Sequence, residues 1–219
     1  KALDPISLEG LLQEASSSAS DSSPGISGLS YGIFVGLPLR WQKILLHFRN
    51  LFVTRQHIPK SLCDLVMIVI PKVNSPVVGY GAVRPISLYE VLLKLSTGTV
   101  QPVVDRCMEE VMHPNQFVGR KHISVQQALQ LVLHSMELLL RRGQKIVIQA
   151  CDVADAFPTV HHWLLEMVLK GYGFPQGLVQ FMKIADAEGE FCMRTKRAFS
   201  KWFRKPWGGI GQGEKSSPG

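Results

Sequence analysis

The chain has 219 residues, with 24 Lys and Arg against 17 Asp and Glu, and 46% of it is hydrophobic. That balance is too apolar for a disordered chain and leaves room for one large domain or two small ones with a sizeable core. Four cysteines, at 63, 107, 151 and 192 with no Cys-x-x-Cys pair, exclude a disulfide scaffold and a zinc ribbon, and no apolar run approaches the roughly 20 residues that span a bilayer.

Residues 1–30 hold Lys1 against Asp4, Glu9, Glu14 and Asp21, a net charge of −3, so the rest of the +7 chain carries +10. A basic body gathers polyanions by releasing their counterions, which makes nucleic acid the first partner to consider. The chain opens on Lys1 rather than Met and without an apolar signal segment. This predicts an intracellular protein, nuclear or cytoplasmic, that is not secreted and whose upstream part was cut away.

Residues 15–30 are rich in Ser with Pro24 and Gly25, so residues 1–30 are expected to form a flexible leader. From Tyr31 to Phe52 the apolar positions Trp41, Ile44, Leu45, Phe48 and Phe52 recur at helical spacing. Leu65–Ile70, stopped by Pro71, reads as a buried strand. Residues 87–112 and 124–142 read as helices, the second with Ser124 as N-cap and an Arg141-Arg142-Gly143 stop. Lys145–Cys151 reads as another buried strand, His162–Lys170 and Gln176–Ala187 as helices. The four cysteines are expected to be small buried apolar side chains, and His161-His162 to be structural or surface residues. Helices alternating with short strands predict one composite α+β domain over 31–219.

The chemistry concentrates where the strand at 145–151 runs into Asp152, with Asp155 in the turn beyond. A buried carboxylate is costly unless paired or bound to a metal. Two carboxylates at a strand end suit a hard divalent cation such as Mg²⁺. The plain alternative is that Asp152 caps a turn and Asp155 caps the following helix. Downstream, Arg194, Lys196, Arg197, Lys201, Arg204 and Lys205 crowd one stretch, with Phe199, Trp202 and Phe203 among them. Bases meet phosphates and aromatics stack on nucleobases, so the stretch fits a single strand or a hybrid duplex. It fits equally a hairpin with one wet basic face and aromatics in the core.

Asp152-Val-Ala-Asp-Ala-Phe157 resembles motif A of reverse transcriptases, and Gln212-Gly-Glu-Lys-Ser-Ser-Pro218 resembles motif B. Val69-Ile-Pro-Lys72 with Val83-Arg-Pro-Ile-Ser-Leu88 resembles the fingers segment. Asn115-Gln-Phe-Val-Gly-Arg120 resembles the element that precedes motif A. Ser23-Pro-Gly-Ile-Ser-Gly28 resembles the entry to the fingers, with Ser27 in place of the usual Asp. Five such matches in the family's order cover roughly residues 23–219 and point to the non-LTR retrotransposon branch. The resemblance implies the fingers and partial palm of a right-hand polymerase fold, RNA template, DNA primer and deoxynucleoside triphosphates as partners, and no membrane. It also implies two Mg²⁺ or Mn²⁺ ions roughly 3.5–4 Å apart. Asp152 and the backbone carbonyl of Val153 would bind metal, with Asp152 catalytic. Lys72 and Arg84 would meet the triphosphate, Asp155 and Phe157 would flank the nucleotide, and Gln212 and Gly213 would approach it. The 194–205 stretch would lie near the template.

The sequence also departs from that family. It contains no Asp-Asp pair, so the second carboxylate element, motif C, is missing, and Pro158 stands where non-LTR elements carry Asp. The expectation is therefore a reverse transcriptase fragment that does not polymerise as this chain. The alternatives are a non-catalytic module for RNA or single-stranded nucleic acid, and the product of a decayed copy, which would fold poorly.

Overall fold

Local chemistry sets the helix ends in this protein. The computed structural model describes residues 3–71, 83–120, 123–153, 159–195 and 198–204. Among these residues the helices are α1 (Leu8–Ser16), α2 (Tyr31–Gly36), α3 (Leu39–Arg55), α4 (Lys60–Cys63), α5 (Val91–Val111), α6 (Val125–Arg141), α7 (His162–Gly171) and α8 (Gln176–Ala187). The strands are β1 (Leu65–Pro71), β2 (Val83–Leu88), β3 (Glu190–Arg194) and β4 (Phe203–Arg204). The chain is thus α+β, as the alternation of patterns predicts. None of these helices is long and apolar enough to cross a membrane.

Ser7, Ser30 and Ser124 each accept a backbone N–H of the first turn of the helix that follows, which satisfies donors that a helix start leaves orphaned. At α6 the cap is reciprocal: Ser124 takes the amide of Gln127, and the Gln127 side chain takes the amide of Ser124. Gly143 follows α6 with φ of 69°, the left-handed turn that glycine adopts without strain. The expected helix over Tyr31–Phe52 is two helices, because Pro38 opens α3 and its ring cannot continue α2. The α3 face that turns inward is Gln42, Arg49, Phe52 and Val53, whereas Trp41 and Phe48 stay exposed.

The sheet order is β2-β1-β3-β4, antiparallel at β1/β2 and β3/β4 and parallel at β1/β3. β2 is an edge strand, which is where a strand tolerates Pro85 without losing a ladder bond. The parallel pair starts together because Asp64 accepts the backbone N–H of Glu190 at 2.7 Å. Gly189, with φ of 95°, lies so close to Cys63 that a Cβ there would collide with its carbonyl oxygen.

The main core joins Phe52, Val53, Ile58, Cys63 and Leu65 to Leu92, Leu93, Leu178 and Phe181, from α3, α5, α8 and the start of the sheet. A second core packs Leu11 and Ala15 of α1 on Tyr31, Phe34, Val91 and Leu95. Within residues 1–30, expected as a flexible leader, α1 and its flanks pack on the body, with Ile6, Leu12 and Leu29 against the same core. Asn50 also clasps the chain ahead of α1, accepting from the amide of Ile6 and donating to its carbonyl. Ser-rich composition signals freedom only where no packed element adjoins it, and α1, ahead of the Ser-rich stretch, buries Leu11 and Ala15. Arg49 is fully buried, with its guanidinium on Thr99 Oγ1 at 2.6 and 3.1 Å and on Asn50 Oδ1 at 2.9 Å. Burial pulls its pKa down to about 10.

Two expectations fail downstream of α6. Lys145–Cys151 is not a strand: residues 144–153 carry no regular structure and are nearly all exposed, Val147 to 94%. A β-branched run becomes a strand only when a neighbour takes its backbone bonds, and none of the four strands described lies beside it. The cysteines divide for the same reason. Cys63 and Cys192 are buried and Cys107 is half-buried, but Cys151, on the unpaired run, is exposed.

Candidate nucleic-acid interface

Side chains alternate along a strand, and directly paired residues share a face. On β1 the pairings Ile70 with Arg84, Ile68 with Ile86 and Val66 with Leu88 put Arg84 on the face of Val66, Ile68 and Ile70. The parallel pairings Val66 with Cys192 and Ile68 with Arg194 put Arg194 on that same face. Glu190 belongs to it by alternation, and Glu190 pairs with Arg204. A bridge between Arg194 and Phe199 adds Phe199. One face of the sheet therefore presents Arg84, Arg194 and Arg204. At its closed end lie buried Val66, Leu88 and Cys192, with Ile68 and Ile86 packed against them.

The opposite face turns inward. Leu65 belongs to the main core, with Met67 and Phe191 packed against it, and Phe191 stacks on Phe203 with ring centroids 5.4 Å apart. The aromatics of the hairpin thus divide. Phe191 and Phe203 serve the interior, while Phe199 and Trp202 remain 63% and 45% exposed. Arg194 lies 5.8 Å from the centroid of Phe199, and Lys201 Nζ lies 5.6 Å from that of Phe203. The hairpin is tied by Ser200, whose amide donates to the Met193 carbonyl and whose hydroxyl accepts the Met193 amide, both at 2.9 Å.

Arg84, Arg194 and Arg204 are exposed, and no acid stands within ion-pair distance of any of them among the described residues. With strands about 4.8 Å apart and about 3.3 Å per residue, the Cα atoms of Arg84 and Arg194 are roughly 12 Å apart. Each guanidinium is a planar fork that can grip a phosphate with two parallel N–H bonds. Three such forks on one face, with exposed rings beside them, are equipped to hold a phosphate backbone and stack its bases.

The other expected site residues separate. Asp152 and Val153 lie on the exposed 144–153 segment, where no strand runs into them. Among the described residues no group of three or more His, Cys, Asp or Glu side chains is placed to hold a metal ion. Lys72, Asp155, Phe157, Lys196, Arg197, Lys205, Gln212 and Gly213 lie outside the described residues. His161 stacks on Trp163 at the surface. Arg120 pairs with Glu109 at the end of α5, which ties the 113–120 turn to that helix.

Ser27, where the fingers entry usually carries Asp, has a local role that sequence reasoning missed. Its amide and hydroxyl both donate to the buried carboxylate of Glu90, at 2.8 and 2.5 Å. An Asp there would set two carboxylates together; Ser supplies the donor that Glu90 needs. Gly25 fits the same junction, since a Cβ on it would meet the Glu90 backbone at 2.8 Å.

No protein-family model matches the chain, and no curated protein is significantly similar to it.

Proposed function

We propose that the chain is a nucleic-acid-binding domain of the reverse-transcriptase type, resembling the fingers and early palm of non-LTR elements, that holds RNA or single-stranded nucleic acid without polymerising. The observation that carries this reading is the register-imposed convergence of Arg84, Arg194 and Arg204 on one sheet face beside exposed Phe199 and Trp202. Unpaired arginines with exposed rings recognise a phosphate backbone through charge and bases through their π faces. The order of the five sequence elements supports the family, with Mg²⁺, template, primer and triphosphates as the partners of a complete polymerase.

Catalysis is another matter. Two-ion nucleotidyl transfer needs several carboxylates fixed a few ångströms apart. Asp152, with the carbonyl of Val153 beside it, offers one, and the sequence holds no Asp-Asp element to join it. The expected outcome is that the purified chain binds a fluorescein-labelled single-stranded RNA in the absence of Mg²⁺. Asp152→Ala should leave that affinity within about twofold, and neither protein should extend a primer. Primer extension by the wild-type chain that Asp152→Ala abolishes would overturn the non-catalytic reading. Binding that required both Mg²⁺ and Asp152 would overturn it as well.

A further inference from the structure

A second unfilled surface lies away from the arginine face, along α3. The last turn of α3 does not run on into solvent. Gln56 adopts a left-handed φ of 51°, and the amides of Gln56 and His57 both donate to the Phe52 carbonyl. The chain thereby reverses, buries Ile58 and enters α4, whose Ser61 and Leu62 line one pocket with Phe48 and Phe52 of α3. Between them opens a groove of about 750 Å³, floored by Phe48, Leu51, Phe52 and Leu92, with Arg55 and His57 on its rim. Phe48 is 43% exposed although it stacks on Phe52 at 6.1 Å.

The rim is as unsatisfied as the floor. Neither the Arg55 nor the His57 side chain has an acid or a hydrogen-bond acceptor within reach among the described residues, and both are exposed. The apolar strip also continues beyond the groove. Trp41, 55% exposed, stands seven residues before Phe48, which stands seven before Arg55. Sevenfold spacing returns to the same side of a helix, so the strip runs roughly 21 Å along α3. A trough that long and open, with aromatics along it and a cation at its end, matches an elongated amphipathic partner better than a compact small molecule.

We infer that the α3–α4 groove is a docking site for an acidic amphipathic helix of a partner protein, whose apolar ridge lies on Trp41, Phe48 and Phe52 and whose carboxylates meet Arg55 and His57. The site is separate from the arginine face, so it stands or falls independently of the nucleic-acid reading.

Two fluorescein-labelled 16-residue probes test it by anisotropy against the whole chain. One has Leu at positions i, i+3, i+4 and i+7 with Glu between; the other has Lys in place of Glu. The expected result is saturable binding of the Leu/Glu probe and at least about tenfold weaker binding of the Leu/Lys probe. Phe48→Asp, and the pair Arg55→Glu with His57→Glu, should each weaken the Leu/Glu probe at least about tenfold. These residues are exposed, so the variants should keep the wild-type melting temperature, and Phe48→Ala serves as a milder check. Arg84→Glu with Arg194→Glu should leave the probe affinity within about twofold, which separates this site from general attraction to a basic body. Equal binding of both probes, absence of binding, or loss through Leu133→Asp on α6 in place of the groove variants would overturn the proposal. Self-association of the wild-type chain that Phe48→Asp abolishes would assign the groove to a second copy instead and overturn it too.

Discussion

α5 and α6 are two long apolar helices of one chain, and they end differently. The first half of α5 disappears into both cores, with Val91, Leu92, Leu93, Leu95 and Val100 all buried. α6 has the more complete start signal and a broad apolar stripe, yet none of its 17 residues is buried. Leu129, Val132 and Leu133 face solvent, and so does the β-branched run that follows. The difference teaches that caps and periodicity decide where a helix is, whereas burial depends on what other elements bring to it. α5 meets α1, α3, α4 and α8; among the described residues α6 meets no element that closes over its stripe.

The sharpest way to break the comparison is to shorten one side chain on each side of it. Phe181→Ala empties a site in the main core where the ring is 1% exposed, and should cost about 3–5 kcal/mol. Leu133→Ala on α6 should stay within about 0.5 kcal/mol. Urea denaturation of the two variants checks both values; comparable losses would mean that α6 is packed in solution.

A smaller effect is expected at the joint of the sheet. Gly189→Ala places a Cβ against the Cys63 carbonyl at a φ that L residues avoid, and should cost about 2 kcal/mol or more through strain and backbone shift. Thermal melting of this variant tests the close approach that sets the β1/β3 pair.

The smallest effect concerns α7 and α8. Glu166 meets Lys170 at 2.7 Å and Lys183 at 2.9 Å, and hydrogen bonds from these two lysines hold its carboxyl at about 2. A carboxylate with a depressed native pKa stabilises above its unfolded value and loses that stabilisation as pH falls from about 4.5 through about 2. Glu166→Gln should therefore flatten the acid limb of the stability profile slightly and change nothing at neutral pH beyond the loss of a surface pair. Melting temperatures from pH 7 to pH 2 for both proteins test the sign.

Much of the fold was legible in sequence because its signals are local. Ser124 with Gln127, the Arg141-Arg142-Gly143 stop, and the apolar run closed by Pro71 each act within a few residues. What was not legible depended on neighbours. Lys145–Cys151 has the composition of a strand, and nothing in its own residues says whether another strand will pair with it. Ser-rich residues before Tyr31 conceal the two α1 positions, Leu11 and Ala15, that anchor α1. The arginine face was legible only in pieces, since Arg84 and Arg194 stand far apart in sequence and meet through the register of β1. Trp202 and Phe203 read alike as aromatics in a basic stretch; Trp202, just ahead of β4, stays half exposed, whereas Phe203, on β4, stacks on Phe191.

The central claim is that three arginines on one face contact the phosphate backbone. It is tested most directly by titrating a labelled 20-nucleotide single-stranded RNA between 50 and 200 mM salt. The comparison is between the wild-type chain and the triple variant Arg84→Gln, Arg194→Gln, Arg204→Gln. Each lost phosphate contact on a single strand should remove about 0.7 from the slope of log affinity against log salt. The expected slope is shallower by about 2 in the triple variant, with unchanged melting temperature. A triple variant that keeps the wild-type slope and affinity would contradict it.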